Sequence, residues 1–163
     1  GIIYDHGPHS IYMSCYYMNR WPVAVSCVAY RNNDEYDTED VAFITLHYEN
    51  GVKVDIFLTW NSSVRKTEYY IFGSKGSVII EDDDIRYIGF HRHTNMKVNS
   101  EFNDPQHKNW FKDVLKDFYR TVSAKERRID LLKESYVTIA VIEASIASSK
   151  DGGRMIELDL PFE

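Results

Sequence analysis

Asp5 and His9 stand four residues apart in the opening segment Gly1-Ile2-Ile3-Tyr4-Asp5-His6-Gly7-Pro8-His9. On a helix that spacing places both side chains on one face, a turn apart. A carboxylate and an imidazole within reach suit a proton relay. Histidine exchanges protons near neutral pH, and the acid can orient it or bind a hydroxyl. The same pair also fits a plainer role, with Asp5 as the N-cap of a helix and His9 as a first-turn residue. Residue types alone favour capping over catalysis.

Other chemistry-bearing groups are weaker. Gly73-Ser74-Lys75-Gly76-Ser77 superficially suggests a phosphate loop, but it lacks P-loop spacing and no helix follows, so it reads as a β-turn. His91 and His93 share one face of a possible strand. With Asp5, His6 or His9 they offer a metal site, although nothing local fixes a third ligand and a solvated strand end is the simpler reading. Glu143 lies within an apolar helix and needs a partner if buried. Trp60 and Asn61 end a strand, where pocket residues often sit, and a core or turn role fits them at least as well. The run Asp82–Asp84 reads as a solvated turn with poor calcium-ligand spacing.

The elements that must position these groups fall into three blocks. Residues 5–19 predict a short helix, with Ile11, Tyr12, Cys15, Tyr16 and Met18 at helical spacing and Trp21-Pro22 ending it. From residue 23 to about residue 92 the pattern turns to period two. Strands are expected at Val23–Arg31, Val41–Glu49, Val52–Trp60, Thr67–Phe72, Ser77–Glu81 and Ile85–His91. The remainder is helical. Asp104-Pro105 starts one helix, whose apolar face is Trp110, Phe111, Val114, Leu115, Phe118 and Val122. A second runs from about Leu131 to Ser149, and Asp151-Gly152-Gly153 stops it; Met155–Leu160 completes the chain as a last strand. The pattern predicts an α+β fold: an open, mostly antiparallel mixed β-sheet with helices packed on one face, as a single domain over 1–163.

Asn50-Gly51 is a strong two-residue hairpin signal. Such a loop pairs Phe43, Thr45 and His47 with Leu58, Ile56 and Val54 on one face. The other face then carries Ile44, Leu46 and Tyr48 opposite Phe57, Asp55 and Lys53. This second face mixes apolar and charged groups and is the expected homo-oligomer surface.

Composition excludes several classes of function. A net charge of -6 opposes nucleic-acid binding, which needs a basic stripe; the one basic cluster, Lys125 to Arg128, is short and contains Glu126. No apolar run approaches the ~18 residues of a membrane span. Cys15 and Cys27 have no CxxC spacing and read as free thiols of a cytoplasmic protein. The chain opens on Gly1 directly into an apolar segment, which suggests an excised or truncated domain.

Gly-x-x-x-Asp-x-Gly-x-His, running into an aromatic-rich helix, resembles the motif that opens the C-terminal half of the Gfo/Idh/MocA oxidoreductases, which include glucose-fructose oxidoreductase and inositol dehydrogenase. Further pieces are similar in order: Pro22-Val23, Glu39-Asp40-Val41-Ala42, Tyr48-Glu49-Asn50-Gly51, Gly73–Ser77, Val141-Ile142-Glu143-Ala144 and Ser148-Ser149. The resemblance covers nearly the whole chain. It implies the substrate-side domain of an NAD(P)-dependent enzyme acting on a sugar, polyol or related hydroxyl compound, with an N-terminal Rossmann domain as its partner. His9 would then be the acid/base for the substrate hydroxyl, and Asp5 would bind that hydroxyl and support His9. Tyr12 would contact substrate, and Trp60 is a further candidate contact from its strand-end position. Tyr12 departs from the aspartate that many members carry three residues after the histidine, which puts one substrate contact in doubt. No GxGxxG occurs among the eight glycines, so NAD or NADP is expected in a full-length parent and no cofactor in the isolated chain. Competing readings are a non-enzymatic ligand-binding or oligomerisation module and a small metal-dependent hydrolase.

Overall fold

The computed structural model describes residues 1–98 and 108–162. They form two compact units, one of Gly1–Ser62 with Glu126–Glu163 and one of Ser63–Lys125. The α+β class and the open, antiparallel sheet are as the sequence predicts. The strands are shared between two four-stranded sheets.

In the first unit, helices α1 (Ile2–Asp5) and α2 (Gly7–Met18) lead into β1 (Ala24–Tyr30), β2 (Val41–His47) and β3 (Lys53–Thr59). The helix expected from residue 5 instead starts at Ile2, so Asp5 is the last residue of α1 and not an N-cap. Pro8 explains the division into two helices: it has no N–H to continue the ladder but is tolerated in the first turn of α2. Asn19, left-handed at φ 49°, ends α2. The second unit contributes β4 (Glu68–Gly73), β5 (Gly76–Glu81), β6 (Asp84–Gly89), β7 (His93–Lys97) and α3 (Lys108–Ser123). Then α4 (Lys125–Lys150) returns to the first unit, and β8 (Ile156–Glu157) closes its sheet in the order β3-β2-β1-β8.

The hairpin register corrects the sequence reading. The β2–β3 connection is the three-residue turn Glu49–Gly51, closed by the Tyr48 N–H donating to the Val52 carbonyl at 2.9 Å. Asn50 and Gly51 both take positive φ (62° and 77°), a conformation open to asparagine and glycine. The extra loop residue shifts the pairing by one, and a one-residue shift exchanges faces. Phe43 now faces Phe57, Ile44 faces Ile56, Thr45 faces Asp55 and Leu46 faces Val54. Ile44, Leu46 and Tyr48, expected on the open face, are buried. Phe43, expected inside, is 49% exposed and stacks on Phe57 at 4.7 Å.

The core is one face of this sheet covered by helices. Val25, Cys27, Ile44, Leu46, Ile56 and Leu58 meet Ile2, Ile3 and Ile11 from the N-terminal helices, and Val137, Val141 and Ile142 from α4. Because β8 pairs with β1 only at Ala24 and Val25, the rest of that edge needs other partners. Serine hydroxyls of α4 supply them: Cys27 N–H donates to Ser148 Oγ at 2.8 Å and Ala29 N–H to Ser149 Oγ at 3.0 Å.

In the second unit the strands run in the order β4-β5-β6-β7. Ser74-Lys75 and Asp82-Asp83 form the expected turns, the second with Asp82 at φ 50°. Phe90-His91-Arg92 is a third turn, closed by the Gly89 N–H donating to the Arg92 carbonyl. Strand β7 therefore begins at His93, and His91 and His93 do not share a strand. In α3 the residues Phe111, Val114, Leu115, Phe118 and Val122 form the expected stripe and are 45–67% exposed. The helix start expected at Asp104-Pro105 lies outside the described residues.

Candidate active site

The start of α1 is held from the β1–β2 loop. Ile2 N–H donates to the Glu39 carbonyl at 3.0 Å, and Ile3 N–H to Glu39 Oε1 at 3.3 Å. One residue therefore satisfies two first-turn donors of α1, which have no partners within the helix. A Cβ on Gly1 would lie 1.9 Å from Glu39 Oε1, so any other residue there displaces this carboxylate. Burial acts to raise the Glu39 pKa. Hydrogen bonds from Thr38 and from the backbone of Glu39 and Ile3 outweigh it and keep the carboxyl below its ordinary range.

The neighbouring Asp40 is fully buried. Its carboxylate accepts the backbone N–H groups of Asn32 at 2.7 Å and Asn33 at 2.8 Å. Burial again acts to raise the pKa, but these bonds and one from the Asn61 side chain hold it low, so the group stays ionised. The Asp40 carbonyl accepts Trp60 N–H at 2.9 Å. The Trp60 indole packs against Tyr36, with centroids 5.3 Å apart, and its Nε1–H donates to Asp5 Oδ2 at 3.3 Å.

Asp5 therefore reaches Trp60, and its second neighbour is His6, whose Nε2 stands 3.2 Å from Asp5 Oδ2. The sequence offers His6 only as one possible member of a metal site. Adjacent residues do not normally face each other on a helix, and only the break between α1 and α2 brings these two together. His9, on the first turn of α2, is exposed. It lines a groove of about 540 Å³ with Pro8, Tyr12 and Met13, facing Glu134, Ser135 and Thr138 of α4. Tyr12 also borders a larger cleft of about 850 Å³ that includes Cys15, Arg20, Trp21, Lys133 and Phe162. Glu143 is exposed and accepts the Tyr4 hydroxyl at 2.6 Å, a bond that raises the tyrosine pKa. Among the described residues no three His, Cys, Asp or Glu side chains cluster as metal ligands, and no helix is long and apolar enough to cross a membrane.

The arrangement puts a carboxylate with a fixed donor at the end of α1 and an accessible imidazole on the first turn of α2. Comparison with known proteins places this segment. Residues 1–79 match the GFO/IDH/MocA C-terminal domain, so the resemblance read from the motif holds over that stretch. No curated protein sequence matches the chain. Among solved structures it is similar to an oxidoreductase from Agrobacterium radiobacter in complex with NAD+, L-tartaric acid and magnesium. That likeness has a TM-score of 0.77 and 17% identity over 96% of this chain and 48% of the other. It is also similar to aldose-aldose oxidoreductase from Caulobacter crescentus complexed with glycerol, with a TM-score of 0.71 and 21% identity over 93% and 46% of the two chains. An oxidoreductase from Thermotoga maritima gives 0.74 and 21% over 96% and 44%. The chain thus shares its fold with part of each of these oxidoreductases, and it spans about half their length.

Proposed function

We propose that the chain is the substrate-side domain of a cytoplasmic NAD(P)-dependent oxidoreductase that acts on a sugar, polyol or related hydroxyl compound. The observation that carries this reading is the Asp5–His9 segment. It lies within the matched residues, at the exposed rim of the first unit, with His9 facing a groove. In this scheme Asp5 helps bind the substrate at the reacting hydroxyl and supports His9, which takes or returns that hydroxyl's proton. Tyr12, at the junction of the two clefts, contacts the rest of the substrate.

The chain's own residues do not fit a dinucleotide: among the described residues every strand pair is antiparallel, and the sequence has no GxGxxG. The cofactor belongs to an N-terminal Rossmann partner domain, as the half-length likeness to an NAD+ complex supports. A nicotinamide held there supplies the hydride acceptor or donor. Homo-oligomerisation uses the open face of the first sheet, where Phe43 and Phe57 are 49% and 58% exposed.

The test is turnover of NAD+ or NADP+ by the full-length protein against a panel of sugars and polyols. His9→Ala should lower kcat by ~100-fold or more, the scale of losing a general acid/base. A near-normal rate removes His9 from the mechanism.

A further inference from the structure

The role given to Asp5 demands a fixed carboxylate, yet Asp5 ends a four-residue helix and its side chain is 60% exposed. A helix that short has no stability of its own. We propose that Asp40 and Trp60 are positioning residues whose joint task is to hold the Asp5 carboxylate in place.

Indole is a donor only, with a single N–H. In this structure that N–H is committed to Asp5 Oδ2 at 3.3 Å, so Trp60 offers substrate its ring and not its hydrogen bond. Trp60 is itself fixed at two points. Its backbone N–H donates to the Asp40 carbonyl, and its ring packs on Tyr36. Both points trace to Asp40. This fully buried carboxylate gathers the N–H groups of Asn32 and Asn33 at the start of the loop that carries Tyr36. A buried carboxylate is costly unless such bonds satisfy it, so the loop is committed to this conformation. Glu39, next in sequence, anchors the other end of α1 through Ile2 and Ile3. Two adjacent acidic residues thereby fix both the backbone that carries Asp5 and the donor that its carboxylate meets.

This inference rests on the proposed oxidoreductase reading only for Asp5's chemical role; the positioning itself is testable without turnover. In the nitrogen-labelled chain, Asp5→Ala should shift the Trp60 indole N–H resonance. It should also speed its exchange with water by about 10-fold, the loss of one charge-assisted hydrogen bond. In the full-length protein, with any sugar or polyol of the panel that it oxidises, Trp60→Phe should lower kcat by about 10-fold, since it keeps the ring on Tyr36 but removes the donor. The same substitution should cost nothing more in an Asp5→Ala background, as expected for residues that act through one another. An unchanged indole resonance and exchange rate in Asp5→Ala overturns the proposal, as do losses that multiply in the double variant. Absence of turnover with every substrate sinks the oxidoreductase reading alone, and the indole measurement then decides this one. It needs no Trp60 variant, so a failure of Trp60→Phe to fold does not remove it.

Discussion

Replacing Ile44 by Ala and, separately, Phe43 by Ala tests which face of β2 is the core. Ile44 is 1% exposed and packs between Cys27 and Ile56 in register. Phe43 is 49% exposed, and its ring meets Phe57 across the strands. Truncating a fully buried isoleucine removes its transfer free energy and leaves a cavity, at about 2–5 kcal/mol. Around Ile44 the helices and sheet close the site on all sides, which limits collapse and places the loss at ~3 kcal/mol. Phe43 loses half-exposed area and one aromatic pair, about 1 kcal/mol. For a unit of roughly 100 residues these figures correspond to a fall in melting temperature of ~12–24 °C for Ile44→Ala against ~4–8 °C for Phe43→Ala. Urea unfolding followed by fluorescence of Trp21 and Trp60, which both belong to the first unit, measures the two losses. Equal losses, or a larger one at Phe43, would refute the placement of Ile44 on the core face and Phe43 on the open one.

Three further outcomes follow from the same structure. Ser148→Ala removes the partner of the buried Cys27 N–H and should destabilise by about 1–3 kcal/mol, read from the same urea midpoint; no shift would mean that another group satisfies this amide. Burial, with Glu39's charge adding to it, pushes the Cys27 thiol up to about 11, and burial also raises Cys15. Both thiols should therefore resist a thiol reagent at neutral pH until the chain unfolds, and prompt labelling of the native protein would contradict their placement. Glu39 and Asp40 have folded pKa values below their unfolded values of 4.5 and 3.8. Their contribution is thus complete above about pH 5 and is lost as pH falls through the depressed folded values. A stability that stayed flat down to pH 3 would show that neither carboxylate matters to the fold.

Local patterns were enough to find most elements of this protein. Period-two runs located the strands, and Trp21-Pro22 and Asp151-Gly152-Gly153 marked helix ends, because each depends on neighbours in sequence. Met155–Leu160 shrank to a two-residue strand, since pairing depends on how far β1 extends beside it. The sheet register was illegible for a related reason. Asn50-Gly51 fits a two-residue loop, but the Tyr48–Val52 closure adds a residue, and that single step decides whether Ile56 or Phe57 sits beside Ile44 on the core face.

The site divides along the same line. Sequence by itself offered Asp5 and His9 as candidates, through the motif that carries the resemblance, since their types and spacing alone fit a capping role as well. It also set the net charge and the missing GxGxxG, which are properties of composition and order alone. Tertiary structure alone decided the partners of Asp5. Trp60 lies 55 positions away and is brought to it by the end of β3, while His6 is turned onto it by the break at Gly7-Pro8. The same holds for Glu39 and Asp40, an acidic pair in a polar loop whose burial and bonding no local pattern reveals. Hydrogen bonds between distant segments depend on the packing that joins them, and a chain's own periodicity carries no record of that packing.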